Sequence, residues 1–168
     1  MFYHLVWSTR NREPLLTSNI EPIIYDFLRA KAIGLEAKIF ALNGVEDHIH
    51  MVVSIPPKIV VAKFVGQVKA VSSVKYNQMP GIGSCFYWQE EYGAFSFDAK
   101  RLPNYVQYVE CQKEHHTQQT TIPILERMNG EGVVRIRDPL GLYVIEDDVW
   151  RKELMSQPSP PGDGSPGY

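Results

Sequence analysis

Two pairs of side chains in this 168-residue chain have the types and spacing for metal-assisted attack on a phosphodiester. His48-Ile49-His50 opens an apolar run, and residues i and i+2 of a strand point to one face, so both imidazoles can aim at one cation. Tyr108 and Gln112 stand four apart, which on a helix stacks a phenol and a carboxamide on one face, a nucleophile beside an oxygen ligand. A tyrosine with an ordinary pKa of about 10 is a weak nucleophile at neutral pH and needs help. A divalent cation held by His48, His50 and the Gln112 oxygen would supply it, with open positions left for phosphate oxygens. Mixed nitrogen and oxygen donors suit Mg2+ or Mn2+ once phosphate completes the shell, and imidazole also admits Zn2+ or Ni2+. Plainer readings stand beside these: paired histidines on an ordinary strand, and Tyr108 as a core residue in register with Tyr105 and Val109. Tyr105 lacks an amide four residues on, so Tyr108 is the preferred nucleophile. His115 and His116 read as solvated histidines near a helix end, where the helix dipole favours them, and no general acid or base is assigned.

The elements that must position these groups follow from periodicity. Residues 2–8 read as a strand, closed by a polar turn over 9–14. Ser18 with Glu21 makes a capping box ahead of Ile20, Ile23, Ile24, Phe27 and Leu28, which recur at helical spacing until Gly34. Segments 37–42 and 48–55 read as a hairpin around Asn43-Gly44, a strong turn signal. Residues 58–77 form a helix whose valines and Phe64 share one face, with Lys58, Lys63, Lys69 and Lys75 making its solvent side basic. An aromatic strand over 85–89, a turn or strand over 92–97, and a helix from Pro103 to about His116 complete the order β-α-β-β-α-β-α. That order implies an α+β, ferredoxin-like or RRM-like antiparallel sheet with two helices on one face, plus an additional C-terminal helix bearing the tyrosine. Residues 122–128 read as a short helix, and 133–137 with 142–146 as a hairpin. The Pro/Gly/Ser-rich stretch 156–168 cannot bury enough apolar surface to order itself.

Composition narrows the function class. Hydrophobic residues make up 44% and charged residues 21%, an ordinary globular balance. No apolar run approaches the ~20 residues that span a bilayer, and no secretion leader is legible. Two cysteines, Cys85 and Cys111, without CxxC spacing point to a reducing cytoplasm rather than a disulfide framework. The formal charge of −2 does not advertise a nucleic-acid binder. Residues 1–120, however, hold 12 Lys/Arg against 11 Asp/Glu, while 121–168 hold 5 against 8, so the negative sign comes from the end of the chain.

Four stretches occur together in order: Asp47-His48-Ile49-His50, residues 65–73 around Lys69, residues 88–96 from Trp88 to Ser96, and residues 108–116 from Tyr108 to His116. With the opening Tyr3-His4-Leu5-Val6-Trp7-Ser8, they resemble the one-tyrosine HUH transposases, which comprise single-strand transposases of small insertion sequences and their REP-associated relatives. The resemblance covers roughly residues 1–118, leaving 119–155 as an acidic extension and 156–168 as a disordered tail. It implies that His48, His50 and Gln112 hold the metal, and that Tyr108 cuts single-stranded DNA at hairpin-marked sites through a 5′-phosphotyrosine. It also implies a homodimer, in which Tyr108 serves either its own histidines or those of the partner subunit. Arg10, Arg12, Lys63 and Lys69 are the candidate phosphate contacts, and Trp88, Tyr92 or Phe95 the candidate stacking platforms. Cys111 departs from the family's usual polar amide there. Two rival readings are a non-catalytic or domesticated hairpin-binding protein on the same fold, and a metallohydrolase using His48 and His50 with His115 or His116.

Overall fold

The computed structural model describes residues 1–128 and the backbone of 133–135. Aromatic and branched residues over Phe2–Ser8 form β1, and the apolar runs that follow form β2 (Lys38–Gly44) and β3 (His48–Ser54). Gly93–Phe97 forms β4, and Val133–Arg135 adds β5. The sheet order is β2-β3-β1-β4-β5, antiparallel except that β5 runs parallel to β4. Its first four strands carry the ferredoxin-like order expected from the sequence.

Period-two alternation sorts the strand residues into two layers. Leu5 and Trp7 of β1, with Ile49, Met51 and Val53 of β3, point into a core beneath α1 (Glu21–Gly34) and α2 (Val61–Asn77). Val6 of β1, Val52 of β3, and Phe95 and Phe97 of β4 point to the opposite face. There they meet Tyr105, Tyr108 and Val109 of α3 (Leu102–Glu110). His4, His48 and His50 share that second face, because β1 and β3 pair with His4 opposite Val52 and His50 opposite Val6. The tyrosine helix therefore covers the histidine face, and the two long helices cover the other.

Several expectations change in detail. The helix expected from Pro103 to His116 is two helices, α3 and α4 (Gln112–Gln118), because Cys111 between them leaves helical geometry at φ −91°, ψ 14°. Ile20, not Ser18, caps α1, and no side chain bonds there, so the capping box does not form. Asn43-Gly44 belongs to β2 rather than to the turn, which lies at 45–47. Gly44 is needed for a different reason: a Cβ would collide with the His48 carbonyl across the hairpin. Residues 85–89 form no strand, only an isolated bridge from Trp88 to Thr9. Residues 133–135 pair with β4, and the hairpin expected with 142–146, like the 156–168 tail, lies outside the described residues. Among the described residues no helix is long and apolar enough to cross a membrane.

The segment expected as a short helix over 122–128 is a 3-10 turn, Pro123–Glu126, folded back onto the histidine face. Gln119 takes a left-handed conformation (φ 58°, ψ 38°) after α4, the reversal that commonly ends helices. Beyond it, Ile122 and Leu125 are fully buried beside Tyr108, Val6 and Phe95. Gly93 leaves room for this return, since any Cβ there would meet the Arg127 carbonyl oxygen. Each of those two side chains contributes on the order of 1.5–3 kcal/mol by leaving water. Residues beyond 118 therefore pack against the same cluster as Tyr108.

Candidate active site

The pleat of β3 places His48 and His50 side by side, with ring centroids 5.1 Å apart. Both are buried, at 2% and 0% exposure. α4 brings His116 to them, its Nε2 3.1 Å from Nε2 of His48. The folded-back turn adds Glu126, whose Oε2 lies 3.2 Å from Nε2 of both His48 and His50 and 3.7 Å from Nε2 of His116. One ligand atom from each of these four residues falls within 4.8 Å of all the others. The Tyr108 hydroxyl donates to the second Glu126 oxygen at 2.7 Å and accepts the Ile122 N–H at 3.0 Å. Phenol, carboxylate and three imidazoles are therefore contiguous within a single chain.

The outer ring nitrogens fix how the imidazoles face inward. His48 Nδ1 bonds the Asp47 carboxylate, the arrangement that commonly orients a metal-ligating histidine. His50 Nδ1 lies 2.9 Å from His4 Nε2, and the two rings stack. A carboxylate only accepts, so His50 Nε2 carries the proton facing Glu126, and His4 Nε2–H donates to His50 Nδ1. That leaves His4 Nδ1 as a buried acceptor without a partner, consistent with the contacts seen among the described residues and less costly than a buried stranded donor.

Burial dominates the electrostatics, and Glu126 redistributes it. Burial, with His50 adding to it, holds His4 well below its ordinary value. His50 is lowered by burial, only partly offset by its bond to Glu126. His48 starts from the same penalty, but its bonds to Glu126 and Asp47 outweigh it and raise its pKa. Burial and the nearby His48 lower His116. Burial would raise Glu126, yet the bonds from His48 and His50 hold it far below the carboxylate range. Tyr108 is pushed well above 10 by burial and then by the Glu126 charge, so the phenol is protonated in the free protein.

Gln112 is fully buried at the start of α4 and donates from Nε2 to the Tyr108 carbonyl at 3.3 Å. Its Oε1 is buried with no hydrogen-bond partner among the described residues, an acceptor that a cation would satisfy. The nitrogen-rich donor set and this oxygen fit a divalent ion. Tyr105, by contrast, sits under Phe97, with ring centroids 3.9 Å apart, deeper in the core.

The expected basic contacts divide. Arg10 and Arg12 are exposed; Arg10 lies over the Tyr87 ring at 4.3 Å, and Arg12 lies 3.5 Å from Asp47. Arg12, Asp47 and His116 line one open cleft of about 900 Å³. Lys63 is exposed, but on α2, in the layer away from the histidines. Lys69 corrects the basic-face reading: it is 8% exposed, and its Nζ donates to the Glu90 and Glu91 carbonyls at 2.9 and 3.3 Å. It clamps a loop rather than presenting charge. Trp88 and Phe95 are core as well, with Trp88 Nε1 donating to Ser72 Oγ. His115 and His116 are half-buried, not solvated: His115 packs on the Tyr108 ring with centroids 4.9 Å apart. Glu126 and His4 escaped the sequence reading. The alternation of His4 with Val6 and the acid ending the apolar run Ile122-Pro123-Ile124-Leu125 were the available signals.

A family model described as IS200-like transposase matches residues 1–112. The ISDra2 transposase TnpA of Deinococcus radiodurans is 23% identical over 117 residues, covering 67% of this chain and 84% of that protein. The transposase for insertion sequence element IS200 of Salmonella typhimurium is 29% identical over 79 residues, 47% of this chain and 52% of that protein. The chain thus spans about half the length of the latter relative. Among solved structures, a protein of Deinococcus radiodurans described as a transposase superposes with a TM-score of 0.51 at 24% identity, over 67% of this chain and 90% of that one. A REP-associated tyrosine transposase bound to a REP hairpin superposes with a TM-score of 0.54 at 14% identity, over 68% and 67%.

Proposed function

Because this chain belongs to the IS200-like transposase family, we propose that it cleaves and rejoins single-stranded DNA at hairpin-marked sites with Tyr108 as the nucleophile. The observation that carries this reading is the contact of the Tyr108 hydroxyl with Glu126, which itself touches His48 and His50. A phenol held beside a cluster of inward-facing imidazoles suits attack on a phosphodiester better than core packing alone. The hairpin in the REP-associated neighbour supports a hairpin as the form of the substrate.

His48 and His50, with the unpaired Gln112 oxygen, would hold a divalent metal such as Mn2+. Bound there, it would supply Lewis acidity toward the non-bridging phosphate oxygens. Residues of the chain do the rest. The Tyr108 oxygen attacks phosphorus as the bond to the 3′ oxygen breaks, leaving a 5′-phosphotyrosine and a 3′-hydroxyl. Glu126 Oε1 already accepts the phenol's hydrogen bond and is the atom placed to take its proton, while the departing oxygen gains one from solvent. The second step reverses the first, so strand exchange needs no external energy source. Ile122 N–H fixes the phenolic oxygen, and the His115 ring shields it from one side. Arg12, on the cleft that reaches His116, is the better placed phosphate contact, with Arg10 further along the same turn.

These groups meet within one chain, so we assign Tyr108 to its own His48 and His50; a homodimer would not be needed to complete the site. Residues 1–128 act as the catalytic unit in this reading.

The test is incubation of the full chain with a labelled single-stranded hairpin oligonucleotide and Mn2+. A denaturant-resistant protein–DNA adduct is expected, lost in Tyr108→Phe and in EDTA and retained in Tyr105→Phe. Tight binding with no adduct, indifferent to EDTA, would instead make this a hairpin-binding module.

A further inference from the structure

Glu126 lies beyond the residues that the family model matches, yet it occupies the centre of the histidine cluster. We propose that Glu126 and His116 complete the cation cage, giving three imidazole nitrogens and one carboxylate oxygen, with the other Glu126 oxygen tying that cage to the nucleophile. This rests on the reading that His48 and His50 bind a divalent ion.

Geometry argues for the cage in two independent ways. The first is convergence: four donor atoms from β3, α4 and the 3-10 turn lie within 4.8 Å of one another. Three of them are Nε2 atoms of His48, His50 and His116 grouped around one Glu126 oxygen. Without an ion, the His48 Nε2 proton must be shared between Glu126 and His116, because the two Nε2 atoms face each other at 3.1 Å. An ion would replace this crowded sharing with four separate bonds.

The second is that the turn bearing Glu126 is built into the fold. Ile122 and Leu125 are fully buried in the same cluster as Tyr108. The chain passes so close to β4 that only glycine fits at position 93. Glu126 is therefore delivered to the site by packing of its neighbours. Its two oxygens are divided between tasks, Oε2 toward the imidazoles and Oε1 toward the Tyr108 hydroxyl. A carboxylate so shared would set the distance between cage and nucleophile. Three imidazoles with one carboxylate favour first-row transition ions such as Mn2+, Co2+ or Zn2+ over Mg2+, which prefers oxygen donors and retains its waters.

The experiment uses the full chain without DNA. It is titrated with Mn2+, free ion followed by electron paramagnetic resonance, and with Co2+, followed by visible absorption; far-UV circular dichroism and the thermal midpoint report the fold. One ion per chain is expected. Glu126→Gln and His116→Ala should each weaken Mn2+ binding at least tenfold. A large excess of Mg2+ should leave the Co2+ spectrum in place. Unchanged or tighter binding in Glu126→Gln overturns the proposal, as does a tenfold loss confined to Gln112→Ala. Should Glu126→Gln fail to fold, His116→Ala decides, because its side chain reaches the cluster from a half-exposed position, and unchanged affinity there overturns the cage. Loss of binding in His48→Ala with none in Glu126→Gln refutes the cage alone. Absence of any ion from the wild-type chain refutes the metal reading beneath it as well.

Discussion

Lys69 shows how far a residue's type can mislead about its job. On a helix otherwise free of acids it reads as a phosphate contact, but its stem crosses the core edge and its ammonium meets two backbone carbonyls. Burial pushes its pKa down to about 8 from 10.5. Between those values the unfolded chain holds a proton that the folded chain has released, so stability rises with pH. From pH 8 to 9.5 we expect a gain of about 1–2 kcal/mol relative to Lys69→Met, in which the titration of other groups cancels, measured by urea denaturation. A flat difference between the two proteins across that range would place the ammonium in solvent. His48, His50 and Tyr108 were legible because each repeats at the period of its element. Glu126 was not, since its placement depends on a chain reversal at Gln119 that side-chain spacing does not encode, and His116 entered only through the rival metallohydrolase reading.

At the scale of elements, the strand and helix order was readable because alternation and helical spacing are local properties. The misread junctions were those that tertiary contacts decide. Asn43-Gly44 carries a strong turn signal, but the register of β2 with β3 requires the glycine inside the strand. The aromatic stretch around Trp88 has strand propensity but forms a single isolated bridge, to Thr9 just beyond β1. The return of residues 122–128 is the element on which the site most depends. Leu125→Ala should cost about 2–4 kcal/mol, as large-to-small changes at fully buried positions do. Gly93→Ala should be at least as damaging, because the new methyl group must displace the Arg127 backbone. Both are measured by chemical denaturation, with Gly34→Ala, where a Cβ meets open space, as the control. A near-neutral Gly93→Ala would mean that the return segment is loosely held.

For the molecule as a whole, two layers divide the labour. The side under α1 and α2 is a largely apolar core, with Lys69 and Ser72 bonded at its edge, whereas the side under α3 accommodates buried histidines because Asp47, Glu126 and the stacked His4 give them partners. The layered fold and the family were legible from motif order across the first two thirds of the chain, which the family model also spans. The acidic balance of residues 121–168 read only as an extension, and one of its acids proves to sit among the histidines. The account stands most squarely on the identity of the nucleophile. Its most direct test is peptide mapping of the covalent adduct by mass spectrometry after reaction with a hairpin oligonucleotide. The nucleotide mass should fall on the peptide bearing Tyr108, with fragmentation assigning it to that side chain; assignment to Tyr105 or any other residue would contradict the mechanism.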